Sequence, residues 1–182
     1  MTTIPATRYS RPLIFLHWFT LLLLIGVYGF IEARELFEKG TETRELMKTL
    51  HYMLGLTVLL TVVLRLFVRL QGPVPAIEPA PHWLMHRAAQ FVHLLLYVLM
   101  IAMPVAGWLM LSAAGKPVPF YGLELPALMA ENKELADTIK ETHKTAGKVG
   151  YFLIGLHALA GLYHHHVRRD NTLLRMLPGR KN

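Results

Sequence analysis

The chain has 182 residues and a net charge of +7, is 53% apolar and only 17% charged, and contains no cysteine. Soluble domains carry about a quarter charged residues, whereas here residues 12–31, 49–64, 88–115 and 149–167 hold no Asp, Glu, Lys or Arg at all. This excludes a soluble enzyme, a secreted disulfide scaffold and, despite the positive charge, a nucleic-acid module. The missing cysteines also exclude thiolate iron–sulfur clusters and covalent c-type haem.

A bilayer core about 30 Å thick is crossed by roughly 20 helical residues. The four runs therefore predict four membrane helices, at about residues 10–32, 48–70, 84–113 and 142–168. Together they form one membrane domain over 1–182, an all-α integral membrane four-helix bundle. The first run has a basic start at Arg8 and Arg11, like a signal peptide. No small-x-small site follows it, however, and His17 and Trp18 interrupt it, so it is expected to stay as a helix. The second run is short but continues past Arg65, an arginine able to snorkel, to Leu70. Between helices two and three, Pro73, Pro75, Pro79 and Pro81 make an extended connector. Pro104 should kink helix three. The following loop is broken by Pro117 and Pro119, and residues 128–140 read as a short amphipathic helix leading into helix four.

Orientation follows from Lys and Arg. The two tails and the second connection hold 10 basic and 2 acidic residues, with Arg180 and Lys181 among the basic ones, whereas the other two connections hold 9 and 10. Both termini are expected in the cytoplasm. Trp18, Trp83 and Trp108 fall near the interfaces, as membrane tryptophans do.

Ten histidines are unusual in so apolar a chain. An ionisable group at membrane depth is costly and therefore functional by default, although any one such histidine can simply bond a neighbouring helix. Spacing argues for more. His143 and His157 are 14 residues apart, which returns them to nearly one helix face about 21 Å apart. His51 shares the outer depth with His143, and His17 shares the inner depth with His157. Facing imidazoles at two depths are what two bis-histidine haem irons require, and a macrocycle fills a bundle interior with apolar surface. Gly55, Gly147, Gly150 and Gly161 offer side-chain-free surface beside these positions, although glycines are common in membrane packing generally.

His164 is seven beyond His157, on the same face at the cytoplasmic boundary. Two readings stand side by side: a quinone hydrogen-bond partner and proton donor, or a plain interfacial histidine. The run His164, His165, His166 does not make a zinc site, because neighbours on a helix diverge by about 100°. His93 either replaces one of the four ligands or bonds a haem propionate or the quinone. The second is favoured, since its helix has no second histidine at the outer depth. His82 and His86 read as surface residues.

Arg8-Tyr-Ser-Arg11, Leu16-His-Trp18, the Val63-Leu-Arg-Leu-Phe-Val-Arg69 segment, the Pro-rich connector and Ala102-Met-Pro-Val-Ala-Gly107 form one series of motifs. Gly150-Tyr-Phe-Leu-Ile-Gly-Leu-His157 and Asp170-Asn-Thr-Leu-Leu-Arg-Met-Leu-Pro178 complete it. Over nearly its whole length the chain thus resembles the bacterial di-haem cytochrome b561 family, which includes superoxide–ubiquinone oxidoreductases. The resemblance implies a multi-pass protein of the bacterial inner membrane with two haem b groups. It implies that His17 and His157 hold the inner haem and His51 and His143 the outer one, with ubiquinone beside His164. The position after His143, acidic in a close member of the family, is Lys144 here.

The leading functional reading is a redox enzyme that takes electrons from superoxide at the outer face and delivers them to ubiquinone. Lys116, Lys144 and Lys148 are the candidates for attracting the anion. Membrane lipid, ubiquinone and superoxide are then its partners, with no nucleic acid and no obligate protein partner evident. The alternative is a haem b relay subunit of a larger quinone-linked dehydrogenase, which would need a docking surface that such short loops hardly offer. A histidine-rich metal transporter predicts carboxylates among the intramembrane histidines, and the spans contain none.

Overall fold

The computed structural model describes residues 8–179. Arg180 and Lys181, counted above for orientation, lie outside them. Four long helices dominate: α1 (Arg11–Ala33), α2 (Glu42–Gln71), α3 (Trp83–Ala113) and α4 (Lys133–Tyr163). Both described ends of the chain lie at one end of the bundle, here called the terminal end; the opposite end is the distal end.

Local chemistry sets the helix starts. α1 begins with Pro12 in its first turn, where a missing N–H removes no helical bond. The Thr41 hydroxyl accepts the Arg44 N–H and caps α2 six residues before the expected start. Glu42 and Glu45 in the first turn suit the helix dipole, and Lys48 pairs with Glu45 at 2.6 Å, so the helix runs on into the polar region. Asn132 caps α4 through the Leu135 N–H at 3.0 Å. The expected short helix and helix four are therefore one continuous rod from Lys133 onward. The loop expected to be irregular contains a two-stranded antiparallel hairpin, β1 (Val118–Phe120) and β2 (Leu123–Leu125). Its turn uses positive φ at Tyr121 and Gly122, the geometry that matches strand twist in tight hairpins. Buried Val118 packs the hairpin onto Leu56 of α2 and Leu111 of α3.

Three of the helices, α1, α2 and α3, are long and apolar enough to cross a membrane. α4 carries Lys148, His157 and several glycines, which lower its average. Its exposed face is nevertheless an apolar stripe, Val149, Phe152, Leu156, Leu159, Tyr163 and Val167, at helical spacing. That stripe is about 27 Å long, enough to match the hydrocarbon core. Phe15, Leu22, Leu60, Phe67, Phe91 and Leu94 are likewise exposed on the other helices, the outside-in arrangement that lipid requires. The core seam is Leu23, Val58, Val62, Leu96 and Met100. Buried hydroxyls satisfy themselves locally: Thr20 donates to the Leu16 carbonyl at 2.6 Å and Thr61 to that of Thr57 at 2.8 Å.

Helices pack closely as α1 with α2 and α3 with α4, and the two hairpins meet chiefly along α2 and α3. α4 has no comparable backbone packing on α1 or α2, so space remains between them. After α4 a π-helical turn, His164–Arg168, and Arg169 at φ +56 reverse the chain. The last segment then ties the terminal end together. The Trp18 indole donates to the Met176 carbonyl at 2.7 Å, and the Tyr9 N–H to the Arg175 carbonyl at 3.2 Å. Asn171 and Glu78 exchange bonds, and the buried Arg175 guanidinium donates to the Pro75 carbonyl. Arg69 and Arg175 both stack on the Tyr9 ring.

Candidate haem sites

Four histidines meet in two pairs across the gap that α4 leaves. His51 on α2 faces His143 on α4 with ring centroids 6.3 Å apart; His17 on α1 faces His157 on α4 at 6.2 Å. Both pairs share an interplanar angle of 73°. The first pair lies toward the distal end, the second toward the terminal end. A metal held in line by two imidazoles sets their centroids about 6 Å apart, from two bonds of about 2 Å and about 1 Å from each nitrogen to its ring centre. Both pairs fit that requirement. His93 approaches His157 more closely, at 5.2 Å, too near for an ion held in this way. His17 therefore matches the ligand geometry, and His93 is a neighbour of the pair toward the terminal end.

The nitrogens favour metal ligation as well. His51 donates its Nδ1–H to the Val27 carbonyl at 2.8 Å, which leaves Nε2 as the free lone pair. One ring nitrogen each of His17 and His143, assigned Nδ1, is buried without a hydrogen-bond partner. A buried unpaired polar atom is costly, and a bound metal relieves that cost directly or through a flip of the ring. Among the described residues no cluster of three or more His, Asp or Glu could hold a metal alone. Paired imidazoles suit an ion whose remaining ligands come from a macrocycle.

The distal pair opens into a cavity of about 880 Å³ lined by His51, Gly55, Met103, Gly107, His143 and Gly147. Such a volume accommodates a large cofactor. Gly55 has no neighbour within 4 Å of where a Cβ would stand, and Gly107 lies against His143, with Cε1 3.6 Å from that point. Gly150 is different. The Tyr28 hydroxyl and Leu99 already fill the space beside it, so this glycine admits a side chain of α1 rather than a porphyrin edge. Tyr28 donates to the Gly147 carbonyl at 3.1 Å and packs 4.2 Å from Tyr151, which donates to Glu32 at 3.0 Å.

The mouth of the cavity is cationic, with Lys116, Lys144 and Lys148 all on its lining. Lys144 is tied to Glu141 at 2.7 Å, and its bond holds that carboxyl below the usual carboxylate range. Lys116 and Lys148 form no ion pair among the described residues. Arg44 is buried and satisfied by the Arg34 and Phe37 carbonyls and by Glu35.

At the terminal end, His164 is buried, His165 half-buried and His166 exposed. Its Nδ1 lies 2.5 Å from Oδ2 of Asp170. Arg65 does not simply snorkel: it stacks 5.6 Å over Tyr97, and its Nε is buried without a partner. Sequence reasoning gave no individual role to Asp170, Tyr28 or Gly107. Asp170 and Gly107 fall within its motifs, and Asp170 is also the sole acid after α4, six residues from His164.

Comparisons with known proteins show the family. The family profile of prokaryotic cytochrome b561 matches residues 8–179. Cytochrome b561 homolog 1 of Escherichia coli K12 is 38% identical over 96% of this chain and 99% of its own length. The probable superoxide oxidase CybB of Yersinia pestis is 37% identical over 96% and 98%. Cytochrome b561 homolog 2 of Escherichia coli K12 is 28% identical over 93% and 91%. The chain belongs to the prokaryotic cytochrome b561 family and is a multi-pass haem b protein of the bacterial inner membrane.

Proposed function

We propose that this protein is a superoxide:ubiquinone oxidoreductase containing two haem b groups, the outer held by His51 and His143 and the inner by His17 and His157. The observation that carries the reading is the pair of matched ring separations, 6.3 and 6.2 Å, at two depths of one bundle. When bound, each haem supplies a reversible one-electron iron couple. The protein's own contributions are separate from that chemistry. The Val27 carbonyl orients His51, Gly55 and Gly107 keep the distal space clear, and Lys116 and Lys148 raise the local concentration of a small anion. With the basic terminal end in the cytoplasm, the cationic mouth faces outward, and His164 stands where a membrane quinone would take up protons. The net reaction removes one electron from each of two superoxide anions and places both, with two protons, on ubiquinone.

The test uses the purified chain with no partner protein. A pyridine haemochrome assay should find two acid-extractable protohaems per chain. Superoxide should reduce them and ubiquinone-1 should re-oxidise them, and the superoxide step should slow as salt screens the lysines. If reduction occurs only when an iron–sulfur protein is added, the relay-subunit reading replaces this one.

A further inference from the structure

We infer that Asp170 is the positioning residue for His164: it fixes the Nδ1–H tautomer of that imidazole, so that Nε2 is the nitrogen presented to quinone. The inference rests on the proposed role of His164 and adds the partner that role requires.

Three observations carry it. First, the chain is bent for this contact. α4 ends in a π-helical turn over His164–Arg168, a widening frequent at functional sites. Arg169 follows in the left-handed region at φ +56, a strained conformation for a residue with a Cβ. The reversal brings the Asp170 N–H onto the His164 carbonyl at 3.2 Å and its carboxylate onto the same residue's ring.

Second, the carboxylate has no freedom. Its side chain is fully buried. Oδ1 accepts the Thr172 N–H at 2.9 Å, Oδ2 faces His164 Nδ1 at 2.5 Å, and Arg168 Nε lies 3.7 Å from Oδ2. Burial alone would raise the pKa of this acid, but the bonds from His164 and Thr172 outweigh it and hold the group below the usual carboxylate range. It is a fixed negative charge that only accepts hydrogen bonds. The Nδ1 opposite must therefore carry a proton in both charge states of the ring.

Third, the contact is selective. Among three consecutive histidines only the one meeting Asp170 is buried. A surface histidine at a membrane boundary needs no buried counter-charge, whereas a proton donor to a carbonyl does. When imidazolium His164 gives its Nε2 proton to a quinone oxygen, the neutral ring that remains already has the correct tautomer. Water at the terminal end can then return a proton to Nε2. The two electrons of quinol formation come from superoxide, as in the reading above.

The experiment compares Asp170→Asn, Asp170→Glu and His164→Gln in the haem-loaded protein. In Asp170→Asn the amide can turn its NH₂ toward Nδ1, which moves the ring proton to Nε2. Haem content should persist, ubiquinone-1 reduction should lose kcat by about 10²-fold or more with KM within a few-fold, and Asp170→Glu should recover part of the loss. In addition, ¹⁵N NMR of the wild-type histidines, with His164 assigned by its absence in His164→Gln, should find the neutral ring protonated at Nδ1. A neutral ring protonated at Nε2 in the wild type overturns the inference. So does an Asp170→Asn protein with wild-type kcat and tautomer. If His164→Gln itself reduces ubiquinone-1 at the wild-type rate, it is the parent reading of His164 that fails.

Discussion

At the scale of single residues, the competition between His17 and His93 for His157 is the sharpest question. His93 is nearer, but nearness is the wrong criterion: an ion between two rings keeps them about 6 Å apart, and only the 6.2 Å pair meets that distance. Replacement by alanine should separate the sites by depth. His51→Ala or His143→Ala should lose one haem and leave the other, with His17→Ala or His157→Ala losing the opposite one. Low-temperature spectra and haemochrome counts would report one haem remaining in each case. His93→Ala should keep both. If His93→Ala loses a haem and His17→Ala does not, the inner assignment is reversed. The same scale shows where sequence reading stops. Seven-residue spacing on α4 aligned His143, Gly150, His157 and His164, because a helix nearly repeats every two turns. It could not say that Gly150 faces Tyr28, a contact set by the crossing of α1 and α4 rather than by either helix alone.

Among elements, the apolar cores of the helices were legible because charge avoids hydrocarbon whatever the neighbours do. Their polar extensions were not. The six added residues of α2 and the first turns of α4 are helical because Thr41 and Asn132 cap them and charged pairs support them, features that a search for charge-free runs ignores. The distal hairpin was hidden for a related reason: Pro117 and Pro119 read as breakers, yet each is compatible with a short two-stranded ribbon that has no third strand. The carboxy-terminal segment makes an element-level prediction. Arg175 is buried, donates to the Pro75 carbonyl and stacks on Tyr9, so it joins the tail, the proline connector and the amino-terminal segment. Arg175→Ala should lower stability by about 2 kcal/mol, the scale of a lost hydrogen bond to a charged group. Arg175→Lys should recover little, since an ammonium cannot reproduce the planar stack. Thermal loss of the haem absorption band would measure both, and an unchanged midpoint in Arg175→Ala would show the tail to be dispensable.

For the whole molecule, the assignment of rings to hairpins has a consequence for how the protein is made. Each histidine pair takes one ring from the α1–α2 half and one from the α3–α4 half. The seam between the halves, Val58, Val62, Leu96 and Met100, is apolar, and in a bilayer apolar contact gives little net attraction because lipid tails are equally apolar. If each proposed haem is held by its histidine pair, it joins the α1–α2 hairpin to the α3–α4 hairpin, and assembly depends on cofactor supply. A chain divided after Gly72 leaves every bond between the tail and the proline connector within the second fragment. Co-expressed, the two fragments should co-purify from cells that make haem and separate when haem synthesis is blocked. Equal recovery of the pair under both conditions would mean that the protein contacts between the halves, the seam together with bonds such as Trp18 to Met176 and Tyr28 to Gly147, suffice without haem. On this view a chain made without haem leaves its two hairpins loosely associated in the bilayer.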